Sequence, residues 1–297
     1  MPKMTAEQTA AFLHQLTRDF LDSPANDAQM PGGFEPAFGP DFLLGYAAGD
    51  DPIWKAYQNG GVGPEQWTPL EAYTRGFPGE PAEAVDLTVI VWILPQTKAT
   101  ISDQRREKVY ACERWARSRF LGQGRVVDGL AKLFLAELGA RGIPGVAPDQ
   151  LPGFSHLESS RFTISSPWSH RHAAHAAGLG TFGLCDGFIS PLGKAIRLGS
   201  LVVKAKLPIT LRPYSNYREY CLFFNSKTCG RCIQRCPAEA LSPEGHDKRR
   251  CRHYTFEVNL NHIAETWPDL KGGYACGLCQ VAVPCATGIP KWPKAAV

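Results

Sequence analysis

Long apolar segments are missing from this sequence of 297 residues. The longest candidate, Val85 to Leu94, contains Asp86 and Thr88 and is far shorter than the about 20 residues that a transmembrane helix needs. Residues 1–20 contain neither the apolar centre of a secretory signal peptide nor a twin-arginine pair. These absences predict a soluble, cytoplasmic protein without a membrane partner, in which cysteine side chains stay reduced and can bind metals.

A strong charge of either sign is missing as well. The formal net charge is +4, from 32 basic and 28 acidic residues, which gives no indication of nucleic-acid binding. Internal repeats and low-complexity tracts are also missing. Hydrophobic residues make up 44% of the sequence, which suffices for a core, and the length predicts one large domain with a smaller one.

Cysteine, by contrast, is concentrated in one segment that holds eight of the ten cysteines. Their order is Cys221-x7-Cys229-x2-Cys232-x3-Cys236-Pro237, then Cys251, then Cys276-x2-Cys279-x5-Cys285. Eight thiolates are the ligands that two 4Fe–4S clusters need, and the C-x2-C-x3-C-P run has the bacterial ferredoxin spacing. The first cysteine of that motif would fall at Ser226, and Cys221 is its substitute.

The motif also predicts which cysteines share a cluster, because in two-cluster ferredoxins the cysteine before the proline binds the other cluster. The first predicted ligand set is Cys221, Cys229, Cys232 and Cys285. The second predicted ligand set is Cys236, Cys251, Cys276 and Cys279. Two adjacent clusters transfer single electrons, which predicts an electron acceptor in the remainder of the chain.

Three other interpretations of the cysteines are weaker. Structural zinc is the strongest of them, because paired C-x2-C segments suit tetrahedral zinc, but zinc ribbons lack the x3-Cys-Pro ending and have more symmetric pairs. Disulfides are disfavoured because nothing marks the chain as secreted. Buried cysteines without any ligand role are the weakest interpretation, because eight cysteines lie so close together in the sequence.

The remainder of the chain divides into two regions before the cysteine-rich domain, which we place at residues 211–297. Residues 1–84 begin with an amphipathic helix from Thr5 to about Leu21 and continue as a wrap rich in proline, glycine and aromatic residues. This wrap either packs on the core or forms a pocket wall. Residues 85–210 predict an α/β core with a central apolar strand at its start and a helix from about Ser102 to Phe120.

A short helix in this core leads into a run of glycines. Ser169 can cap the helix and Gly178 can end it, and the small residues from 173 to 183 let the backbone approach something flat or bulky. His172 and His175 are one turn apart on this helix. No third ligand of regular spacing accompanies them, which favours a pair on the helix surface over a metal site.

Two groups of motifs stand out in these regions. The first is Ala177-Gly178-Leu179-Gly180, Gly183, Ile189-Ser190-Pro191 and Leu198-Gly199, and the second runs from Arg250-Cys251 to Glu257. Together they resemble the epoxyqueuosine reductase family, which is related to reductive dehalogenases, from about Val85 to the C-terminus. The resemblance implies an α/β (α+β) nitroreductase-like core with a C-terminal ferredoxin-like domain that holds two 4Fe–4S clusters.

The resemblance also implies a cobalamin, bound in the core with its lower base detached and supplied with electrons by the clusters. A protein of this kind reduces a substrate at the cobalamin. The residues that the resemblance assigns to the cofactor are Ser165, Gly178, Gly180, Thr181, Gly183, Ser190, Arg197 and Gly199.

Two departures from the family disfavour epoxyqueuosine in tRNA as the substrate. The family's catalytic aspartate falls at Ile164, and isoleucine cannot donate a proton. The catalytic acid is therefore unassigned, and the weak candidates are His170, Tyr254, Asp186 and Cys185. The sequence also ends soon after Cys285, so we expect no helical-repeat extension of the kind that grips tRNA.

We therefore expect an iron–sulfur reductase that passes electrons through two clusters to a cobalamin and reduces a substrate other than epoxyqueuosine-containing tRNA, with a small molecule as one option. The alternative is an electron-transfer or corrinoid-reducing protein without substrate chemistry of its own. Either protein needs a cellular electron donor of the ferredoxin or flavodoxin type. The first needs an acid in its pocket, whereas the second predicts reversible oxidation and reduction with no substrate conversion.

Overall fold

The computed structural model describes residues 4–159 and 163–291. They form a mixed α/β fold around a four-stranded antiparallel sheet, which confirms the predicted fold class at this level. The sheet has the order β1-β2-β8-β3, with strands β1 (Leu43–Ala48), β2 (Thr88–Pro95), β3 (Gly145–Val146) and β8 (Ile196–Val203). Three small hairpins are β4 (Leu157–Ser159) with β5 (Thr163–Ser165), β6 (Thr181–Phe182) with β7 (Phe188–Ile189), and β9 (Leu241–Ser242) with β10 (Gly245–His246).

The helices of the core surround this sheet, and those of the cysteine-rich segment are short. The core helices are α1 (Ala6–Leu21), α2 (Ile53–Ala56), α3 (Pro69–Gly76), α4 (Lys98–Arg106), α5 (Glu113–Gly122), α6 (Asp128–Gly139) and α7 (His170–Ala176). The later helices are α8 (Leu222–Asn225), α9 (Arg231–Gln234), α10 (Lys248–His253) and α11 (Asn259–Thr266). The part of the chain that the structure describes contains no helix long and apolar enough to cross a membrane.

Strand β2 is the centre of the sheet, as its apolar sequence predicts. It pairs with β1 on one side and with β8 on the other, so that Val91 lies opposite both Gly45 and Ser200. Its side chains alternate between two apolar cores: Val91 packs into the core beneath α7, and Trp92 packs into the core beneath α1 and α6. Burial on both faces explains why this strand has no polar side.

The N-terminal region is part of the same fold. Helix α1 begins with the predicted capping box, in which the Thr5 hydroxyl accepts from the Gln8 backbone amide and the Gln8 side chain accepts from the Thr5 amide. Strand β1 forms an edge of the sheet. Part of the predicted wrap over residues 23–84 therefore packs into the core as a strand. The domain boundaries after residues 84 and 210 stay predictions.

The prediction of one helix from Ser102 to Phe120 is wrong, because α4 and α5 are separate helices. The Arg235 guanidinium donates to the carbonyl oxygens of Glu107, at 2.8 Å, and Gln104, at 3.3 Å. These bonds satisfy carbonyl groups at the end of α4. Arg235 comes from the cysteine-rich segment, so a contact that is distant in sequence ends the helix.

Candidate functional site

The first predicted ligand set lines one narrow cavity, which contains Cys221, Cys229, Cys232 and Cys285. Cys221 precedes α8, Cys232 lies in α9, and Cys285 lies in the last described loop. Leu184 and Ile189 of the β6–β7 hairpin close the cavity from the core side. The fold therefore brings together four thiols from three separate stretches, in an apolar setting.

Three members of the second predicted ligand set lie within electrostatic range of one another. Burial, followed by the nearby Cys251 and Cys236 thiols, raises the pKa of the Cys276 thiol to about 12. Cys276 and Cys279 flank Gly277, where the chain turns with φ at +70°. Glycine is favoured at this position for two reasons. The positive φ is strained for other residues, and a Cβ atom would lie 2.1 Å from the Trp115 ring.

Cys185, from the core, lies between the two ligand sets. Its thiol is within hydrogen-bonding reach of Cys232 in the first set and of Cys279 in the second. The Lys194 ammonium donates to the Cys185 sulfur at 3.2 Å. No local pattern predicts this contact, since neither residue belongs to the cysteine motif. Within residues 4–159 and 163–291, no three His, Cys, Asp or Glu side chains have the geometry to hold a single metal ion.

The α/β core is tied directly to both ligand sets. At the start of β8, the Lys194 amide donates to the Cys285 carbonyl oxygen at 2.8 Å, and the Ala195 amide donates to Ala286 at 3.0 Å. From α4, the Gln104 side chain donates to the Cys276 carbonyl oxygen at 2.8 Å. Both loops that carry the last three cysteines are therefore held by hydrogen bonds from the core.

The small-residue segment that the sequence assigns to a flat group packs on the chain itself. A Cβ atom at Gly178 would lie 2.3 Å from the Leu211 carbonyl oxygen, and one at Gly180 would lie 2.1 Å from that of Ile189. Both glycines have positive φ, at +73° and +156°. The alanines of α7 are buried in the core beneath the sheet. The two glycines thus allow close contact with the backbone of other segments of this chain.

The other residues assigned to the cofactor also have partners within the chain. The Thr181 hydroxyl accepts from the Tyr220 amide at 2.9 Å. The Ser190 hydroxyl donates to the Gly193 carbonyl oxygen at 3.0 Å. The Gly183 amide donates to the Gly187 carbonyl oxygen at 2.8 Å, and a Cβ atom at Gly199 would lie 2.2 Å from the Trp92 ring.

Arg197, the last of these residues, belongs to a group with unpaired polar atoms. Among the described residues, its Nε atom, both side-chain amide atoms of Gln96 and the Trp92 indole nitrogen are buried without a hydrogen-bond partner. The Arg197 guanidinium lies 5.7 Å from the ring of Trp115, which is almost fully buried. Gln96 could not be singled out from the sequence, because an isolated glutamine after a strand belongs to no motif.

Ile164, at the position of the family's acid, is flanked by two carboxylates that are distant in sequence. Glu158 lies directly opposite Ile164 in the β4–β5 hairpin. The hydroxyl of the adjacent Ser165 donates to the Glu65 carboxylate. These two glutamates were missed by the sequence analysis, since only the hairpin and the loop that follows α2 bring them to this position.

Three of the four weak candidates for the acid, His170, Tyr254 and Asp186, are engaged elsewhere. His170 bridges the Asp149 carboxylate, at 3.2 Å, and the Ser200 hydroxyl, at 2.8 Å. The Tyr254 hydroxyl donates to the Val109 carbonyl oxygen at 2.7 Å. Each of these side chains therefore holds two parts of the fold together.

Asp186, the third, lies 3.0 Å from His246. Burial alone would raise the pKa of this carboxyl, but the hydrogen bond from His246 and nearby cations lower it below its ordinary value. A carboxyl with a lowered pKa is a poor proton donor near neutral pH. Asp186 therefore does not supply the missing acid.

The prediction that His172 and His175 form a pair on the helix surface is wrong. His175 is buried, its Nδ1 atom lies 2.7 Å from the Tyr57 hydroxyl, and its ring stacks on Tyr214 at 5.1 Å. Burial, followed by the charge of Arg212, lowers the pKa of His175 to about 4. The wrap that carries Tyr57 covers this side of α7, which a local sequence pattern cannot indicate.

Comparison with known proteins gives two kinds of similarity, although no family model matches the sequence. The epoxyqueuosine reductase of Gloeobacter violaceus is 29% identical over 139 residues, which are 45% of this chain and 40% of that protein. The match thus spans less than half of the curated relative.

Two solved structures complete the comparison. A catabolic reductive dehalogenase has a TM-score of 0.51 and 15% identity, over 84% of this chain and 30% of that chain. The epoxyqueuosine reductase from Bacillus subtilis has a TM-score of 0.48 and 15% identity, over 98% of this chain and 69% of that chain. The resemblance predicted from the motifs is confirmed: this chain is similar in sequence to an epoxyqueuosine reductase and in fold to a reductive dehalogenase.

Proposed function

We propose that this chain is an iron–sulfur electron-transfer protein that holds two 4Fe–4S clusters and exchanges single electrons with partner proteins. The observation that carries this proposal is the convergence of the first ligand set, Cys221, Cys229, Cys232 and Cys285, around one cavity. The spacing of the cysteines selects the same four residues independently of the fold.

The residues present fit such clusters in chemistry and in setting. All eight proposed ligands are unpaired thiols, and none is committed to a disulfide. The cavity of the first set is closed by apolar side chains such as Leu184, Ile189 and Val283, which exclude water. When bound, two adjacent clusters supply one-electron transfer, with potentials tuned by hydrogen bonds to sulfur and by solvent exposure.

The residues assigned to cobalamin do not fit a corrin in the arrangement that the chain adopts. Gly178 and Gly180 face the backbone of Leu211 and Ile189, so neither offers an open surface. On the opposite face of the sheet, Arg197 has a buried nitrogen without a hydrogen-bond partner, but the buried Trp115 ring lies 5.7 Å from its guanidinium group. The proposed electron acceptor is therefore a partner outside the chain.

We propose that electrons enter from a small acidic carrier protein of the ferredoxin or flavodoxin type. A groove on α4 is lined by Lys98, Arg105 and Arg106 together with Ile101, Ser102 and Thr287. Thr287 is two residues from Cys285, and the buried side of α4 contacts the Cys276 carbonyl oxygen. A basic groove beside both ligand sets attracts an acidic partner to the positions from which electron transfer is shortest.

The test is elemental analysis of protein expressed and purified without oxygen. We expect close to eight iron and eight sulfide per chain, as two 4Fe–4S clusters require. Cys221→Ser should lose about half of the iron, because serine replaces one ligand of the first set. Cys112→Ser is the matched control and should keep all of it, since Cys112 is buried in a separate apolar cluster. Zinc without acid-labile sulfide in the wild-type protein would contradict the proposal.

A further inference from the structure

A buried lysine stands where the two ligand sets meet. Lys194 is 3% exposed and lines the cavity of the first ligand set. Its position is fixed at both ends: its backbone amide donates to the Cys285 carbonyl oxygen, and its side-chain stem packs against Gly187. A Cβ atom at Gly187 would lie 2.8 Å from the Lys194 Cδ atom, so the glycine makes room for the lysine.

The ammonium group of Lys194 is surrounded by sulfur. It donates to the Cys185 sulfur at 3.2 Å and lines the same cavity as Cys285. Cys185 in turn reaches Cys232 of the first set and Cys279 of the second. One cation thus lines the cavity of the first set and contacts a thiol that neither set requires.

A buried cation of this kind needs compensating negative charge. Removing an ammonium group from water is costly unless it is paired. In the described part of the chain no carboxylate forms a salt bridge with Lys194, and the groups that act on its charge are cysteines: Cys185, Cys285, Cys279 and Cys232. Clusters ligated by thiolates carry net negative charge, so they are the compensation that this lysine requires.

We propose that Lys194 is a positioning residue that sets the reduction potentials of both clusters and, through Cys185, couples them. Uptake of one electron from the acidic carrier adds one negative charge to a cluster, without a proton. A fixed ammonium group beside the cluster stabilises that added charge and raises the potential. Because it lies at the junction of the two sets, Lys194 acts on both clusters. This inference depends on the proposed function.

The test compares Lys194→Met with Lys206→Met in protein purified without oxygen. Methionine is an unbranched side chain one atom shorter than lysine and carries no charge, and Lys206 is a matched control because its side chain is 71% exposed. The readouts are iron content and the midpoint potentials of both clusters, measured by redox titration followed by electron paramagnetic resonance. We expect full iron in both variants and a shift of both potentials to more negative values in Lys194→Met alone.

A second pair of variants keeps the test decisive if Lys194→Met does not fold. Lys194→Arg retains the charge and should keep both potentials near those of the wild type, whereas Cys185→Ser should keep its iron and alter both potentials. Unchanged potentials in Lys194→Met, or a shift of one cluster alone, would overturn the inference. Loss of iron in Cys185→Ser would also overturn it, since Cys185 would then be a ligand. Failure of the proposed function is recognised separately, because wild-type protein would then contain no clusters to titrate.

Discussion

Gln104 joins the α/β core to the second ligand set, because its side chain donates to the Cys276 carbonyl oxygen at 2.8 Å. The oxygen of the same amide accepts from the Cys112 backbone amide, also at 2.8 Å. Gln104 is fully buried and lies in α4, the helix that also lines the basic groove. One side chain thus fixes the start of α5 and the loop of Cys276 together.

Replacement of Gln104 should weaken both the fold and the second cluster. Gln104→Leu leaves two buried backbone groups without partners, at a cost of about 1–3 kcal/mol each. We expect a lower free energy of unfolding in chemical denaturation, and faster loss of one cluster on exposure to air. Gln15→Leu, at an exposed position of α1, is the control and should change neither quantity. Equal cluster lifetimes in the two variants would show that Gln104 does not support the second set.

The contacts of Gly178 and Gly180 predict that the core does not take up a corrin. Titration of the reconstituted protein with cobalamin should leave the visible spectrum of the cofactor unshifted and give no retention on a desalting column. Detachment of the lower base would change that spectrum, so the measurement is direct. A spectral shift that is lost in Arg197→Leu would contradict our interpretation and would favour the cobalamin-dependent reductase that the resemblance implies.

The basic groove predicts an electron-transfer rate that depends on salt. The double variant Lys98→Glu and Arg105→Glu reverses two charges at the groove and should slow reduction by an acidic flavodoxin about ten-fold or more at low salt. The loss should shrink at high salt, where surface charges are screened. Lys55→Glu, at an exposed site on α2, is the control, and stopped-flow absorbance is the measurement. Equal rates for the double variant and the control would place the donor elsewhere.

Buried His175 predicts that the fold loses stability in acid. Its pKa is about 4 in the fold, from burial and then from Arg212, against an ordinary value of 6.5. The unfolded chain therefore binds a proton below about pH 6.5 that the folded chain does not bind until about pH 4. This contribution is complete above pH 6.5 and is lost as the pH falls toward 4.

Denaturation curves of the wild type and of His175→Phe between pH 4 and 7 can isolate that contribution. The difference in their free energies of unfolding should change across this range, because the variant lacks the titrating group. For Ala11→Ser, at an exposed position of α1 where neither side chain titrates, we expect a constant difference from the wild type. A constant difference for His175→Phe as well would show that His175 is not held neutral by the fold.

Several features of this protein are local and were therefore readable from the sequence. Thr5 and Gln8 start α1 through contacts within one turn, and the unbroken apolar run of β2 required burial on both faces. The spacing of Cys229, Cys232 and Cys236 depends only on neighbours along the chain. The division of the cysteines into two sets followed from that spacing, and the structure places the first set around one cavity.

The remaining features depend on contacts between residues that are far apart in sequence. Arg235 ends α4, Tyr57 buries His175, and Leu211 occupies the space beside Gly178, and none of these pairs has a local signature. The sequence by itself determined which cysteines make up the two proposed ligand sets. Only the tertiary structure decided that Lys194 lies between the two sets, because folding alone brings a charge into contact with thiols that are remote along the chain.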